Sequence, residues 1–198
     1  ELKTGIKDAA SYAAANFEEY LATWNYFGTL PNPIFTAVRY NEEQTGGDTH
    51  AAADIICYMN GYNDNRRASY FEQSKWAGQA YVGLRRSINL AKMAIHFSNY
   101  STIKMKTSDP VLWMNAAEVA FLRAEGKAIF GFDMGGEASS FYNQGIRLSF
   151  DQWGVDGAES YLADGESKPA TYKDPSGLYT YGKNLSDITV KWDESASI

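Results

Sequence analysis

Apolar residues at Ile6, Ala10, Ala13, Phe17, Leu21 and Trp24 follow one another at intervals of 4, 3, 4, 4 and 3. That repeat lines one face of an α-helix. Gly28 and the cluster Pro31, Asn32 and Pro33 end the stripe, because proline lacks an N–H and restricts the residue before it. Residues 34–40 follow, and then a polar stretch, 41–49, whose Gly46 and Gly47 mark it as an exposed loop. Ala52, Ile55, Ile56 and Met59 share a face and predict a second helix over 51–62. Asp48 or Thr49 would cap it, Gly61 closes it, and Asn63, Asp64 and Asn65 make a turn. No period holds from 70 to 108, which predicts loops with short elements.

The next helix is predicted to start at Asp109 and Pro110. Aspartate can accept from the free N–H groups of a first turn, and proline is tolerated at the first helical position. It would run through Leu112, Val119 and Leu122 to about residue 130, followed by a turn at 133–136. Over 137–153, Ala138, Phe141, Tyr142, Gly145, Ile146, Ser149 and Trp153 form one broad face, and Gly154 ends the element. The short connection predicts an antiparallel helical hairpin over 109–154. Ala124, Gly126, Ala138 and Gly145 would let its two axes approach closely. Residues 155–198, rich in Gly, Asp, Ser and Lys, read mostly as loop. The whole of 1–198 is expected to be a single, mainly α domain, with helices and long loops over 1–108.

The composition narrows the function. The 198 residues hold five Trp, fourteen Tyr and ten Phe, and 44% of positions are hydrophobic, enough for a core. A net charge of −6 without Lys/Arg clusters argues against nucleic acid, whose phosphates need neutralising. No apolar run reaches the roughly 20 residues that cross a bilayer. Cys57 is the single cysteine and His50 and His96 the only histidines, so no Cys-based zinc site and no HExxH pattern exists. Cys57 lies in the apolar run 55–59 and reads as a small core residue, with a Cys–His pair as the alternative. Phosphate-loop and nucleophile-elbow motifs are absent. Asn63, Asp64 and Asn65 lack the spacing of a calcium loop and read as an Asx-stabilised turn. No cofactor or metal is expected. Glu118 and Glu125, seven residues apart on one helix, have backbones separated by about 10 Å. Glycosidase carboxyl pairs stand roughly 5–9.5 Å apart. The two carboxylates therefore read as bracing or solvated groups of the hairpin, with catalysis as the rival reading. The start at Glu1 without methionine reads as a piece of a longer protein.

Residues 115–128, Asn-Ala-Ala-Glu-Val-Ala-Phe-Leu-Arg-Ala-Glu-Gly-Lys-Ala, and the later stretch Gly135–Val155, with its Tyr142, Gly145, Ile146 and Ser149, resemble the SusD/RagB family. Asn32, Pro33 and Ile34 resemble that family's Asn-Pro-aliphatic segment. Residues 58–67 with Tyr70 and Phe71 resemble its Asp-Pro-Arg segment, with Asn65 in place of the proline. The resemblance implies a mainly α body with tetratricopeptide-like hairpins and long loops. It also implies an outer-membrane lipoprotein of Bacteroidetes at the extracellular face, anchored by a lipid outside this sequence. Its work would be binding glycans for nutrient uptake and passing them to a SusC-like TonB-dependent porin, without catalysis.

A sugar presents weakly apolar C–H faces and a rim of hydroxyls. Rigid aromatic rings suit the first, and Arg, Asn and Asp suit the second. The aperiodic stretch 71–86 is the best candidate site, with Trp76, Tyr81, Arg85 and Arg86 as ligand-binding residues. The alternative for Trp76 is packing over a neighbouring helix. Trp24 and Tyr26 are second-line candidates, with core the better reading for Trp24, and Trp113 and Trp153 read as core or half-buried. The path of Trp192, Tyr172, Tyr179 and Tyr181 is left open. Two other functions stand beside glycan binding: a helical-repeat protein-interaction domain without a sugar site, and a glycoside hydrolase.

Overall fold

The computed structural model describes residues 32–39, 49–87, 99–177 and 180–195. These contain six helices, two isolated β-bridges and no strand. The chain forms two compact units, one of residues 32–109 with 166–190 and the other of 110–165 with 191–195. The helix predicted over 6–24 lies outside the described residues, as do 41–48 of the polar loop and His96.

In the first unit, α1 (Pro33–Arg39) starts on an Asn-Pro pair. The Asn32 Oδ1 accepts from the backbone N–H of Ile34 at 2.8 Å and of Phe35 at 3.3 Å, while Pro33 fills the position whose N–H would be unpaired. The same buried asparagine ties distant chain together. Its Nδ2 donates to the Asp109 carbonyl at 2.7 Å, and its backbone N–H donates to Thr107 O at 2.8 Å.

Helix α2 (Ala53–Gly61) bears out the expectation for 51–62, but its cap is not as predicted and its buried face matches only at Ile56 and Met59. The residue before it is Ala52, which has no side chain able to cap. A neighbouring loop supplies the partner instead: Ala53 N–H donates to Leu84 O at 3.0 Å, and Leu84 N–H returns to Ala51 O at 2.7 Å. The buried face is Ala53, Ile56, Cys57 and Met59, and Ile55 points outward. After Gly61 the chain turns at Asn63, whose φ of 51° is the left-handed conformation asparagine tolerates. Asp64 then accepts twice from the Arg66 guanidinium, at 2.9 and 2.6 Å, before the short α3 (Arg67–Tyr70).

The aperiodic region is ordered by backbone pairing rather than by helices. Residues 101–104 bond to two different segments. Glu72 N–H donates to Thr102 O and Lys104 N–H to Tyr70 O, while Ser101 N–H donates to Val82 O at 2.8 Å. The buried Ser101 Oγ accepts from Val82 N–H at 3.2 Å. From the far end of the sequence, Tyr172 Oη donates to Gly83 O at 2.9 Å and Ala170 N–H to Cys57 O at 2.9 Å.

In the second unit, α4 (Ala116–Ala128) and α5 (Ala138–Gln152) make the predicted hairpin. Phe121 lies against Gly145 and Arg123 over Phe141 at 3.9 Å, so residues rise along one helix as they fall along the other. The pair is antiparallel. A Cβ on Gly145 would meet the Phe121 ring at 2.8 Å, which shows how closely the small residues allow the helices to pack. The connection folds under the hairpin. Met134, fully buried, packs with Ala124 and Phe141, and its carbonyl accepts from Arg123 Nη2 at 2.8 Å.

The hairpin's start differs from the expectation of Asp109 and Pro110. The Asp109 carboxylate turns back to accept from Lys106 N–H at 2.7 Å, and α4 begins seven residues later. Asn115 caps it, its side chain accepting from Glu118 N–H at 2.7 Å. Replacing Asn115 by Ala is expected to cost about 1 kcal/mol. Urea denaturation followed by circular dichroism would measure that loss, and an unchanged midpoint would refute the cap. Leu112, Leu122, Trp113 and Trp153, placed on helix faces or in the core by the sequence reading, are exposed. The described residues of 155–195 are irregular apart from an unpredicted helix, α6 (Ala158–Ala163). It is held to α5 by Phe150 against Tyr161, ring centroids 5.4 Å apart, and by an exposed Arg147–Glu159 pair.

Candidate ligand-binding site

The four candidate residues lie in the first unit, on the irregular segment between α3 and residue 87. Trp76 sits in a tight loop closed by Ser74, whose N–H donates to Ala80 O at 2.8 Å. Its Oγ donates to Gln79 O and accepts from Trp76 N–H at 3.3 Å. Gly78, at φ 76°, makes that turn possible. The indole is half-buried. It meets the edge of Tyr100 at 5.8 Å and packs on the cluster of Ala53, Cys57, Val82 and Tyr172. Its Nε1 is buried and has no hydrogen-bond partner among the described residues.

Arg85 and Arg86 project from the next stretch and share an environment that sequence spacing did not reveal. The Arg85 guanidinium lies over the Tyr181 ring at 4.8 Å. Tyr181 Oη donates to Asp54 Oδ1 at 2.9 Å, and Arg86 Nη2, on a side chain 79% exposed, donates to Asp54 Oδ2 at 2.8 Å. Asp54 thus bridges a tyrosine and an arginine, and Tyr181 packs on the same cluster as Trp76. Burial and the Asp54 hydrogen bond both raise the Tyr181 pKa, so its hydroxyl stays protonated at neutral pH.

Tyr81 goes elsewhere. It packs on Ala51, Ile56, Met59 and Phe71, beneath the Arg67 guanidinium at 4.6 Å, while its carbonyl accepts from Asn60 Nδ2. The fold therefore groups Trp76, Arg85 and Arg86 around one cluster, adds Asp54 and Tyr181, and sets Tyr81 in a neighbouring one. Asp54 and Tyr181 are 127 positions apart, so no local pattern could have paired them.

Chemically, the cluster offers cationic donors, a carboxylate acceptor, a phenol and half-buried aromatic rings, a set matched to a polyol with apolar faces. Among the described residues no group of His, Cys, Asp and Glu could hold a metal ion. Burial, and secondarily the charge of Asp54, pushes the Cys57 thiol up to about 11, far from the thiolate a nucleophile requires. Glu118 and Glu125 line an open groove of about 370 Å³ on the hairpin unit, with Ala117, Phe121, Leu122 and Ser149.

The family model described as "SusD-like: Susd and RagB outer membrane lipoprotein" matches residues 8–198. Among solved structures, a SusD homolog from Bacteroides uniformis ATCC 8492 is 72% identical, with a TM-score of 0.84 over 88% of this chain and 36% of its own. A susD homolog from Bacteroides thetaiotaomicron VPI-5482 is 48% identical, with a TM-score of 0.66 over 72% of this chain and 30% of its own. A chitin-binding SusD homolog from Flavobacterium johnsoniae is 37% identical, with a TM-score of 0.72 over 84% of this chain and 33% of its own. The chain thus spans about a third of the length of these relatives. No curated protein matches it. The expected mainly α fold, with its tetratricopeptide-like hairpin, stands.

Proposed function

Because this chain belongs to the SusD-like family of outer membrane lipoproteins, we propose that it is part of a non-catalytic glycan-binding protein. That protein captures oligosaccharide at the extracellular face of the outer membrane and delivers it to a SusC-like TonB-dependent porin. The observation that carries the reading is the 37% identity, over 84% of the chain, to a relative described as chitin-binding. The chemistry of the Trp76, Arg85 and Arg86 cluster supports it. Arginine donors and the Asp54 carboxylate recognise hydroxyls, and the aromatic rings nearby offer stacking surface of low conformational entropy. Tyr81, braced under Arg67, contributes from the adjoining segment.

Calorimetric titration of the full-length protein with a panel of oligosaccharides tests this. Arg86→Ala and Trp76→Phe are expected to weaken binding about tenfold, on the order of 1.4 kcal/mol each. Unchanged affinity in both variants would remove the site and leave glycan binding in place. A blank across the panel would overturn glycan binding, and release of reducing ends from a bound polysaccharide would replace it with hydrolysis.

A further inference from the structure

Helix α2 is apolar on two sides, and the core takes only one of them. Ala53, Ile56, Cys57 and Met59 are buried, whereas Ile55 is 42% exposed and Tyr58 37%. A solvated helix face is normally polar, so large apolar side chains one turn apart on it mark a surface with a use. Tyr62 extends that side past the helix end, its ring 5.8 Å from the Tyr58 ring and tilted by 58°. The Tyr62 hydroxyl donates to Ile188 O at 2.6 Å, which fixes the ring and brings a residue 74% exposed beside it. Asp54 stands one turn before Tyr58, and Tyr58 one turn before Tyr62, so the three follow one side of the helix. The aromatic surface is thus continuous with the cluster in which Asp54 holds Arg86 and Tyr181.

We propose that Tyr58 and Tyr62 form a second sugar subsite, and that an oligosaccharide lies lengthwise along α2 from Asp54 to Tyr62. This subsite presupposes the glycan-binding reading above and adds the ligand's path and its minimum length. The chemistry is divided along the helix. Asp54 and Arg86 meet hydroxyls at one end, while the tyrosine rings offer rigid apolar faces to ring C–H groups at the other. Eight residues of helix separate the ends by about 12 Å, longer than a single sugar ring. A protein partner fits this face less well. A ridge about 12 Å long and roughly 10 Å wide has a footprint on the order of 100 Å², where a stable protein interface takes about 800 Å² on each side. Exposed ion pairs also bound it at both ends, Arg86 with Asp54 and, next to Gly61 and Ile188, Lys168 with Asp187.

Calorimetric titration of the full-length protein with cello-, malto-, xylo- and N-acetylglucosamine oligomers, each from two to six units, tests this. A series that binds is expected to tighten as it lengthens, the hexamer binding about tenfold more strongly than the dimer. Tyr58→Ala should bring the hexamer down to the dimer's affinity, whereas Tyr58→Phe, which keeps the ring, should retain the gain. A fluorotyrosine at position 58 reads the contact without truncating the side chain, and its fluorine resonance should shift when the hexamer is added. Length-dependent affinity untouched by Tyr58→Ala, or a fluorine resonance that stays in place, overturns the subsite and leaves glycan binding standing. Loss of the porin complex with sugar affinity intact would assign the face to a protein and overturn it too. Binding in none of the series would overturn both readings together.

Discussion

Replacing Phe150 by Ala is expected to destabilise the hairpin unit by about 4 kcal/mol, within the range for emptying a fully packed phenylalanine site. The ring is 1% exposed. It lies on α5 beside the residues that close the helix. The Phe150 carbonyl accepts from Trp153 N–H at 3.2 Å and from Val155 N–H at 3.1 Å, as Gly154 turns the chain at φ 59°. Its aromatic partner, Tyr161, belongs to a six-residue helix too short to persist without packing. The Arg147–Glu159 pair that also joins the two helices is solvent-exposed and so contributes little. Loss of the phenyl ring therefore removes one of the hydrophobic contacts that hold α6, leaving its buried Leu162 as the other anchor. Two measurements check this together. Urea unfolding should show the full loss, and amide exchange of residues 158–163 should accelerate first. A loss below about 1 kcal/mol would mean that the site collapses around the cavity, contrary to the rigid packing described.

Gly61→Ala is expected to cost about 3 kcal/mol in the other unit, the upper part of the usual range for overpacking. The reason is backbone against backbone. A methyl at Gly61 would stand 2.6 Å from the Pro169 carbonyl carbon and closer still to Lys168 O and Ala170 N. No rotamer change relieves such a clash, so the strand of chain at 168–170 must move. Moving it endangers the Ala170 N–H to Cys57 O bond, which fastens that strand to α2. Gly83 is similarly tight, 2.5 Å from Ala52 O. Gly182 is the control, because nothing lies within 4 Å of its added methyl, and Gly182→Ala should stay within about 0.5 kcal/mol of the parent. Thermal unfolding of the two variants separates the cases. Equal behaviour of Gly61→Ala and Gly182→Ala would refute the close approach.

The limits of reading structure from sequence are visible in particular residues. Asp109 and Pro110, read as a helix start, begin none, whereas Asn32 and Pro33, read as the end of an earlier stripe, begin α1. Asp109 spends its carboxylate on Lys106 N–H and its carbonyl on Asn32 Nδ2. The first is a local turn three residues long, and the second is a contact across 77 positions that spacing does not encode. Helix α2 needed no polar cap because Leu84 O satisfies its first N–H, and that loop could not have been placed beforehand. The hairpin was legible because its information is local: small residues at the contact, a short turn, and a terminating glycine. Of the candidate site, Trp76, Arg85 and Arg86 could be picked out as aperiodic aromatics and cations. Their common neighbours Asp54 and Tyr181 came from distant segments, one on a helix and one on a stretch without pattern.

The order in which the chain visits its two units has a practical effect. Among the described residues each unit is assembled from two separate lengths of polypeptide, so the chain leaves the hairpin after Gly165, completes the other unit over 166–190, and re-enters at Lys191. The exit and return points are neighbours, since Lys191 N–H donates to Asp164 O at 2.9 Å. No single cut can release either half intact. A stop codon after Gly165 would strip Tyr172, Tyr181 and the Cys57 partner strand from one unit and Trp192, which stacks 5.3 Å from Tyr142, from the other. Deleting 166–190 and rejoining the two ends with a few flexible residues would instead keep both lengths of the hairpin unit on one polypeptide.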